Sequence, residues 1–242
     1  MSEGPQGWGT PLYSRVLDTL PAGATVLDVG CGAGEFARAA TDRGHAVRGV
    51  DADPSAVAVA ARRVPEGVFA VGDAQALEQP DSSYDVVALV QVVTHLANPL
   101  VALREAARVV RPSGTVVATV WGRESECDVR LLGESLAALL PPRPETPSGP
   151  PPLTEPDRLA KIVDMAGLAV ATVDEVVCSF RYDDEDELVG PVLGSGLGRT
   201  AARRGGPGGV RAALLEGLAD RRRPDGSYVL QNLFRVLTAR PL

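Results

Sequence analysis

Apolar residues fall along the first half of the chain in short, nearly unbroken runs, and each run gives way to a stretch with helical spacing. The run 25–29 (TVLDV) precedes a helical pattern at 35–43, and the run 46–50 precedes another at 54–63. A strand at 67–71, a short helical turn near 75–78, a strand at 84–90, a helix at 99–110 and a strand at 114–120 follow. Runs of this length suit strands buried on both faces, and their alternation with helices predicts a mostly parallel sheet covered on both sides. Ahead of the first strand, residues 12–20 (LYSRVLDTL) read as an amphipathic helix stopped by Pro21 and Gly23.

Beyond Trp121 the pattern loosens. A helix is expected at 127–140, then a proline-dense, irregular surface segment, PPRPETPSGPPPLTEP, then a helix at 155–166 and a strand at 168–180. Residues 183–226 open on acidic DDEDE, pass through GSGLGRTAARRGGPGG and contain a helical stretch at 208–221, before a last strand at 227–238. The expected fold is therefore α/β and doubly wound, with seven strands. A chain of 242 residues can bury one sizeable core, so one elaborated domain is expected over 1–242. Its appendages are a helical cap at 1–22, a helix with proline-rich insertion at 123–156, and a Gly/Arg-rich insertion at 183–226, read either as a lid or as an inert loop.

Candidate chemistry gathers where the strands end. In VLDVGCGAG (26–34) a buried strand breaks at Asp28 and Val29 into a turn built on Gly30, Gly32 and Gly34, which lets the backbone pass beneath a ligand. A dinucleotide fingerprint from Gly30 requires glycine at position 35, where Glu35 stands, and the Lys-Ser/Thr ending of a P-loop is absent. A glutamate opening the next helix would repel a phosphate, so the loop suits a ligand without one. The second strand delivers Asp51, placed to accept hydrogen bonds from ribose hydroxyls, the third reaches Asp73, and the fourth ends at Gln91.

With VRGVDADP (47–54), VGDAQAL (71–77), YDVVALVQVVTHLANP (84–99) and RVVRPSGTVVATVWG (108–122), in this order and spacing, the chain resembles the class I S-adenosylmethionine (SAM) dependent methyltransferases, more narrowly the bacterial type 11 small-molecule group. The resemblance covers about residues 8–180. It implies a Rossmann-like sheet ending in an antiparallel strand, SAM as cofactor and S-adenosylhomocysteine as product. Asp28, Gly30, Cys31, Gly32 and Gly34 would line the methionine part, Asp51 with Ala52 the ribose, and Asp73 with the Ala74 amide the adenine. Ser113 departs from the family's usual second glycine in its Pro-Gly-Gly turn.

Methyl transfer from a sulfonium needs alignment and exclusion of water more than reacting side chains. Gln91 reads either as a ligand to the methionine part or substrate, or as a cap on the strand end. Of the two histidines, His45 reads as structural, and His95 either as a general base for a hydroxyl acceptor or as a loop-packing residue. Tyr13 and Trp121 are candidates for the substrate side, and Trp8, like Tyr13, for closing over the cofactor. Residues 86–98 hold no carboxylate, so a metal-free site is expected.

A net charge of −7 argues against a nucleic-acid backbone as partner, and VQVVTHL is unlike the motifs of amino-methylating nucleic-acid enzymes. No apolar run reaches the ~20 residues of a membrane span. The amino terminus lacks a secretory pattern, and Cys31, Cys127 and Cys178 suit a reducing cytoplasm. A small-molecule acceptor and a monomeric or homodimeric protein are expected. The leading expectation is methylation of an oxygen, nitrogen or carbon atom in specialised metabolism. The alternatives are a SAM-binding protein of the same fold that catalyses another reaction, such as a cyclisation, or serves in binding alone, and a nicotinamide oxidoreductase.

Overall fold

The computed structural model describes residue 5, residues 7–142 and residues 152–242, so most of the proline-dense segment lies outside the described residues. In chain order the elements are α1 (Thr10–Leu17), β1 (Thr25–Val29), α2 (Glu35–Asp42), β2 (Ala46–Asp51), α3 (Pro54–Arg63), β3 (Val68–Val71) and β4 (Tyr84–Val90). There follow α4 (Pro99–Val109), β5 (Val110–Trp121), α5 (Arg130–Ser135), α6 (Pro156–Met165), β6 (Leu168–Tyr182), α7 (Glu185–Gly194), α8 (Gly196–Gly217) and β7 (Tyr228–Pro241). The seven strands form one sheet in the order β3-β2-β1-β4-β5-β7-β6. β1 pairs in parallel with β2 and β4, as do β2 with β3 and β4 with β5, while β7 runs antiparallel to β5. The seven-stranded, mostly parallel sheet with an antiparallel last strand is the fold the sequence predicts.

The chain divides into two compact units. The sheet unit comprises Pro11–Trp121, Pro151–Val176 and Phe234–Leu242. Its core lies where β1, β4 and β5 meet α4 and α6, with Leu27, Leu89, Leu103, Val116, Leu159 and Val163 all buried. Strand order reverses between β1 and β4, which opens a crevice at the carboxyl ends of these two strands. Among the described residues no helix is long and apolar enough to cross a membrane.

The second unit, Met1–Thr10, Gly122–Pro150 and Val177–Leu233, takes in most of the two expected insertions. Here two expectations need correction. The segment 183–226 is far more helical than its glycines suggest. Asp184 caps α7 by accepting from the amides of Asp186 (2.8 Å) and Glu187 (2.9 Å), and Ser195 caps α8 through the Gly198 amide (3.1 Å). Leu136, Val189, Val192, Ala201, Val210 and Leu214 then form a small core of their own. Glycine is required in one of these contacts: a Cβ on Gly198 would stand 2.0 Å from the Val192 carbonyl oxygen. α8 bends at Gly206, whose φ of 66° and ψ of 169° precede Pro207.

The helix expected at 127–140 is broken into α5 and one 3-10 turn, Ala137–Leu139. Its start is instead a bridge at Cys127 followed by a turn at Asp128 and Val129. The Asp128 carboxylate accepts from Arg221 (2.9 and 3.0 Å) and from the Gln231 amide (2.9 Å), and the Val129 amide donates to Asn232 Oδ1 (3.0 Å). In the sheet unit, the helical turn expected near 75–78 is a tight non-helical turn. Asp73 Oδ1 accepts from the Gln75 amide (2.8 Å) while the Ala76 amide donates to the Asp73 carbonyl (3.0 Å), a local bonding pattern that competes with helix.

The amino-terminal edge of the sheet is fastened by Asp85. Its Oδ2 accepts from the Thr25 amide (2.9 Å) and hydroxyl (2.7 Å), and its Oδ1 pairs with Arg111, so one carboxylate ties together the starts of β1, β4 and β5. The Thr25 bonds, with Arg111 adding to them, hold the Asp85 carboxyl down to about 2 from its ordinary 3.8. Because the folded value lies below the unfolded one, the contribution is complete above about 4 and lost as pH falls toward 2. Replacing Asp85 by Ala should cost about 1–3 kcal/mol at neutral pH. Thermal melts of the two proteins should converge between pH 4 and pH 2, and an unchanged gap across that range would contradict the role.

Candidate functional site

The crevice is floored by the glycine turn after β1. Gly30, Gly32 and Gly34 all adopt left-handed backbones, at φ of 73°, 51° and 80°. The amides of Gly30 and Cys31 both donate to the Val50 carbonyl, at 2.7 and 3.1 Å, so the turn hangs from the end of β2. A Cβ on Gly30 would lie 2.3 Å from Val92 Cγ2, and one on Gly34 would lie 3.0 Å from the Ala60 Cα. At Gly32 a Cβ would meet nothing within 4 Å. The loop is thus packed against β4's end and against α3, and open at its apex.

Three carboxylates lie on or just beyond the strands that end at this side of the sheet. Asp51, at the end of β2, accepts from the Gly32 amide through Oδ2 (2.8 Å) and from the Asp53 amide through Oδ1 (2.9 Å), which fixes its plane and leaves lone pairs on both oxygens. Asp73 stands exposed beyond β3. Asp28 lies beneath the loop, 1% exposed, with Oδ2 sealed from solvent and lacking any hydrogen-bond partner. Burial, reinforced by the charge of Asp51, pushes the Asp28 carboxyl up to about 7. An unpartnered carboxylate at this depth is costly, and such groups concentrate where a site needs their charge.

The remaining candidates divide by position. Cys31 is buried in the loop, its thiol pushed up first by desolvation and then by Asp28 and Asp51. Ala52 is exposed next to Asp51, and Ala74 is half-buried against the sheet core. Gln91 ends β4 with a left-handed φ of 59°, and both its amide and its Nε2 donate to the Thr119 hydroxyl, at 2.9 and 3.0 Å. His95 is exposed on a single 3-10 turn, Val93–His95, just beyond Gln91. His45 is buried at the entry to β2, at the opposite end from Asp51, where desolvation lowers its pKa. Tyr13 is half-buried edge-on to Phe36 (5.9 Å between centroids), and Trp121 stacks on Phe234 at 4.4 Å. Trp8 belongs to the other unit, where it packs on Phe180 at 5.2 Å. Among the described residues no group of three His, Cys, Asp or Glu is arranged to hold a metal ion.

Several supporting residues are given no role by the sequence. Arg63 of α3 donates to the Ala33 carbonyl (2.8 Å) and pairs with Glu35 (3.1 Å), so the glutamate at the helix start is partly neutralised. Glu105 accepts from the Leu77 amide (2.8 Å) while Arg108 donates to the carbonyls of Leu77 and Gln79 (both 2.8 Å), clamping the segment after Asp73 onto α4. The hydrogen bonds from Arg108, with the Leu77 amide adding to them, lower the Glu105 pKa. The helical spacing of Glu105 and Arg108 suggests only a surface pair; their reach back across more than 25 residues of chain is a tertiary fact.

Residues 27–118 match the family model described as a methyltransferase domain. Among curated proteins, the chain is similar to the 2-methyl-6-phytyl-1,4-hydroquinone methyltransferase of Synechocystis, 44% identical over 48% of this chain and 37% of that protein. It is 34% identical to the 27-O-demethylrifamycin SV methyltransferase of Amycolatopsis mediterranei over 54% of each chain. A probable S-adenosylmethionine-dependent methyltransferase of Mycolicibacterium smegmatis is 29% identical over 95% of this chain and 76% of its own length. The chain spans about half, or less, of the length of the first two relatives. In fold it is similar to a putative methyltransferase from Bacillus halodurans (TM-score 0.61, 16% identity, 98% and 100% of the two chains). It is also similar to the cyclase SpnF (TM-score 0.60, 23% identity, 95% and 80%). The matched domain, the strand order and the glycine turn at the β1/β4 crevice agree: residues 27–118 match a methyltransferase domain, and the fold is similar to that of SAM-dependent methyltransferases.

Proposed function

We propose that the chain transfers the methyl group of SAM to a small metabolite of specialised metabolism, with a hydroxyl oxygen as the first acceptor to test. The observation that carries this reading is the loop itself: a glycine turn closed at both shoulders and open at Gly32, with Asp28 buried beneath it and Asp51 bonded to its apex. The residues present fit the cofactor. Asp51, oriented by two backbone amides with lone pairs to spare, would hold the ribose hydroxyls, and Asp73 with Ala74 the adenine. The backbone from Gly30 to Gly34, with Cys31 among it, would hold the methionine part. The buried charge of Asp28 beneath that loop favours a cation above it, and Gln91 and Ala52 border the same strand ends.

Bound there, the cofactor supplies a methyl group already activated on a cationic sulfur. What remains for the protein is to orient an acceptor, keep water out and take away a proton. The end of β4 offers Gln91, Thr94 and His95 but no carboxylate, a donor set suited to a hydroxyl and not to magnesium. His95 is placed to take the proton of a hydroxyl, and Tyr13 and Trp121 are aromatic surfaces for the acceptor. The relatives named for a demethylrifamycin and for a hydroquinone support a hydroxylated small molecule.

Incubation with SAM labelled on its methyl group and a panel of hydroxylated aromatic and polyketide compounds should yield labelled product and one S-adenosylhomocysteine per methyl. Turnover of an acceptor without S-adenosylhomocysteine would favour a different reaction on the same fold, such as a cyclisation. Asp28 gives a second check. Its folded pKa, about 7, lies above the ordinary 3.8, so the burial penalty is absent at low pH and complete above 7. Ligand-free Asp28→Asn should therefore melt at a higher temperature than wild type at pH 8, with the gap closing toward pH 4. A variant less stable than wild type at pH 8 would contradict the assignment of a strained site charge.

A further inference from the structure

Thr119 lies in β5, within the run RVVRPSGTVVATVWG but at a position to which the sequence gives no role, and its side chain is fully buried. In the β4–β5 register it stands opposite Val90, the last residue of β4, so its hydroxyl meets the chain where β4 ends. Two donors of Gln91 converge on that one oxygen, the backbone amide at 2.9 Å and Nε2 at 3.0 Å. Gln91 is one of two described residues other than glycine with a positive φ. A glutamine adopts this backbone only where surrounding contacts hold it there. The Thr119 hydroxyl is such a contact, since it bonds both the backbone and the side chain of the strained residue.

The turn so fixed has a direct consequence one residue later. Val92 is the side chain against which Gly30 packs, close enough that a Cβ on Gly30 would lie 2.3 Å from its Cγ2. A buried hydroxyl on β5 thus sets a strained turn at the end of β4, and that turn seats the valine that supports the glycine loop. We propose that Thr119 is a positioning residue for the cofactor loop, acting through Gln91 and Val92. The proposal rests on reading that loop as the SAM site.

The test uses the full chain and two independent readouts, S-adenosylhomocysteine affinity by calorimetry and hydrogen exchange of the Gln91 backbone amide by NMR. Thr119→Val keeps the side chain's shape but strands both Gln91 donors; it should weaken S-adenosylhomocysteine about tenfold and abolish protection at the Gln91 amide. Thr119→Ser, which keeps the hydroxyl, should stay within about twofold of wild type and retain the protection. In a Gln91→Gly background, which needs no such support, Thr119→Val should add little to the loss. Wild-type affinity in Thr119→Val, or equal weakening by Ser and Val, would overturn the proposal. So would a Gln91 amide that exchanges freely in the wild-type protein, a measurement independent of whether any variant folds. If the wild-type protein binds no S-adenosylhomocysteine, the reading of the site fails, and protection lost in Thr119→Val but kept in Thr119→Ser still decides the role of the hydroxyl.

Discussion

The site depends on a backbone contact that only glycine permits. At Gly30 the loop after β1 approaches the end of β4 so closely that one added carbon would penetrate Val92, and the same residue has a left-handed φ. From that contact the rest follows. The loop lies low enough for the Val50 carbonyl to take its first two amides, and for Asp51 to take the amide of Gly32. The approach is tight on both shoulders and open only at the apex. A sheet with parallel strands reversing order at this point supplies the crevice; the missing Cβ lets the loop pack into its end.

The two edges of the sheet divide stability and function between them. At the amino-terminal edge, Asp85 is satisfied by Thr25 and Arg111 and its charged form is favoured. At the carboxyl edge, Asp28 is buried with an unpartnered oxygen and its charged form is disfavoured. The same residue type therefore stabilises one end and costs stability at the other. Asp51 stands beside the loop, bonded to the Gly32 amide, and Asp73 lies exposed beyond β3.

Much of this was legible in the sequence because it is local. VLDVGCGAG states a buried strand, its breaking point and three positions freed of side chains, and the later aspartates mark strand ends by spacing alone. What was illegible is tertiary. Thr119 and Val92 look like ordinary strand and turn residues, and Arg63 and Arg108 like solvated helix charges, until the fold brings them to the loops they hold. The glycine-rich stretch 194–209 misleads for a different reason. Low intrinsic helix propensity is overridden by two side-chain caps, and Gly198 meets the chain at Val192 too closely for any larger residue. Conversely, residues 127–129 have helix-compatible composition but form a bridge and a turn, where Asp128 bonds to Arg221 and Gln231.

The most direct test of the loop as a SAM site is calorimetric titration of the purified chain with S-adenosylhomocysteine, with NADH in parallel and Asp51→Ala as the matched variant. Saturable binding of S-adenosylhomocysteine alone is expected, weakened in the variant by about 1–3 kcal/mol through loss of charged hydrogen bonds. Binding of NADH, or S-adenosylhomocysteine affinity indifferent to Asp51, would contradict it.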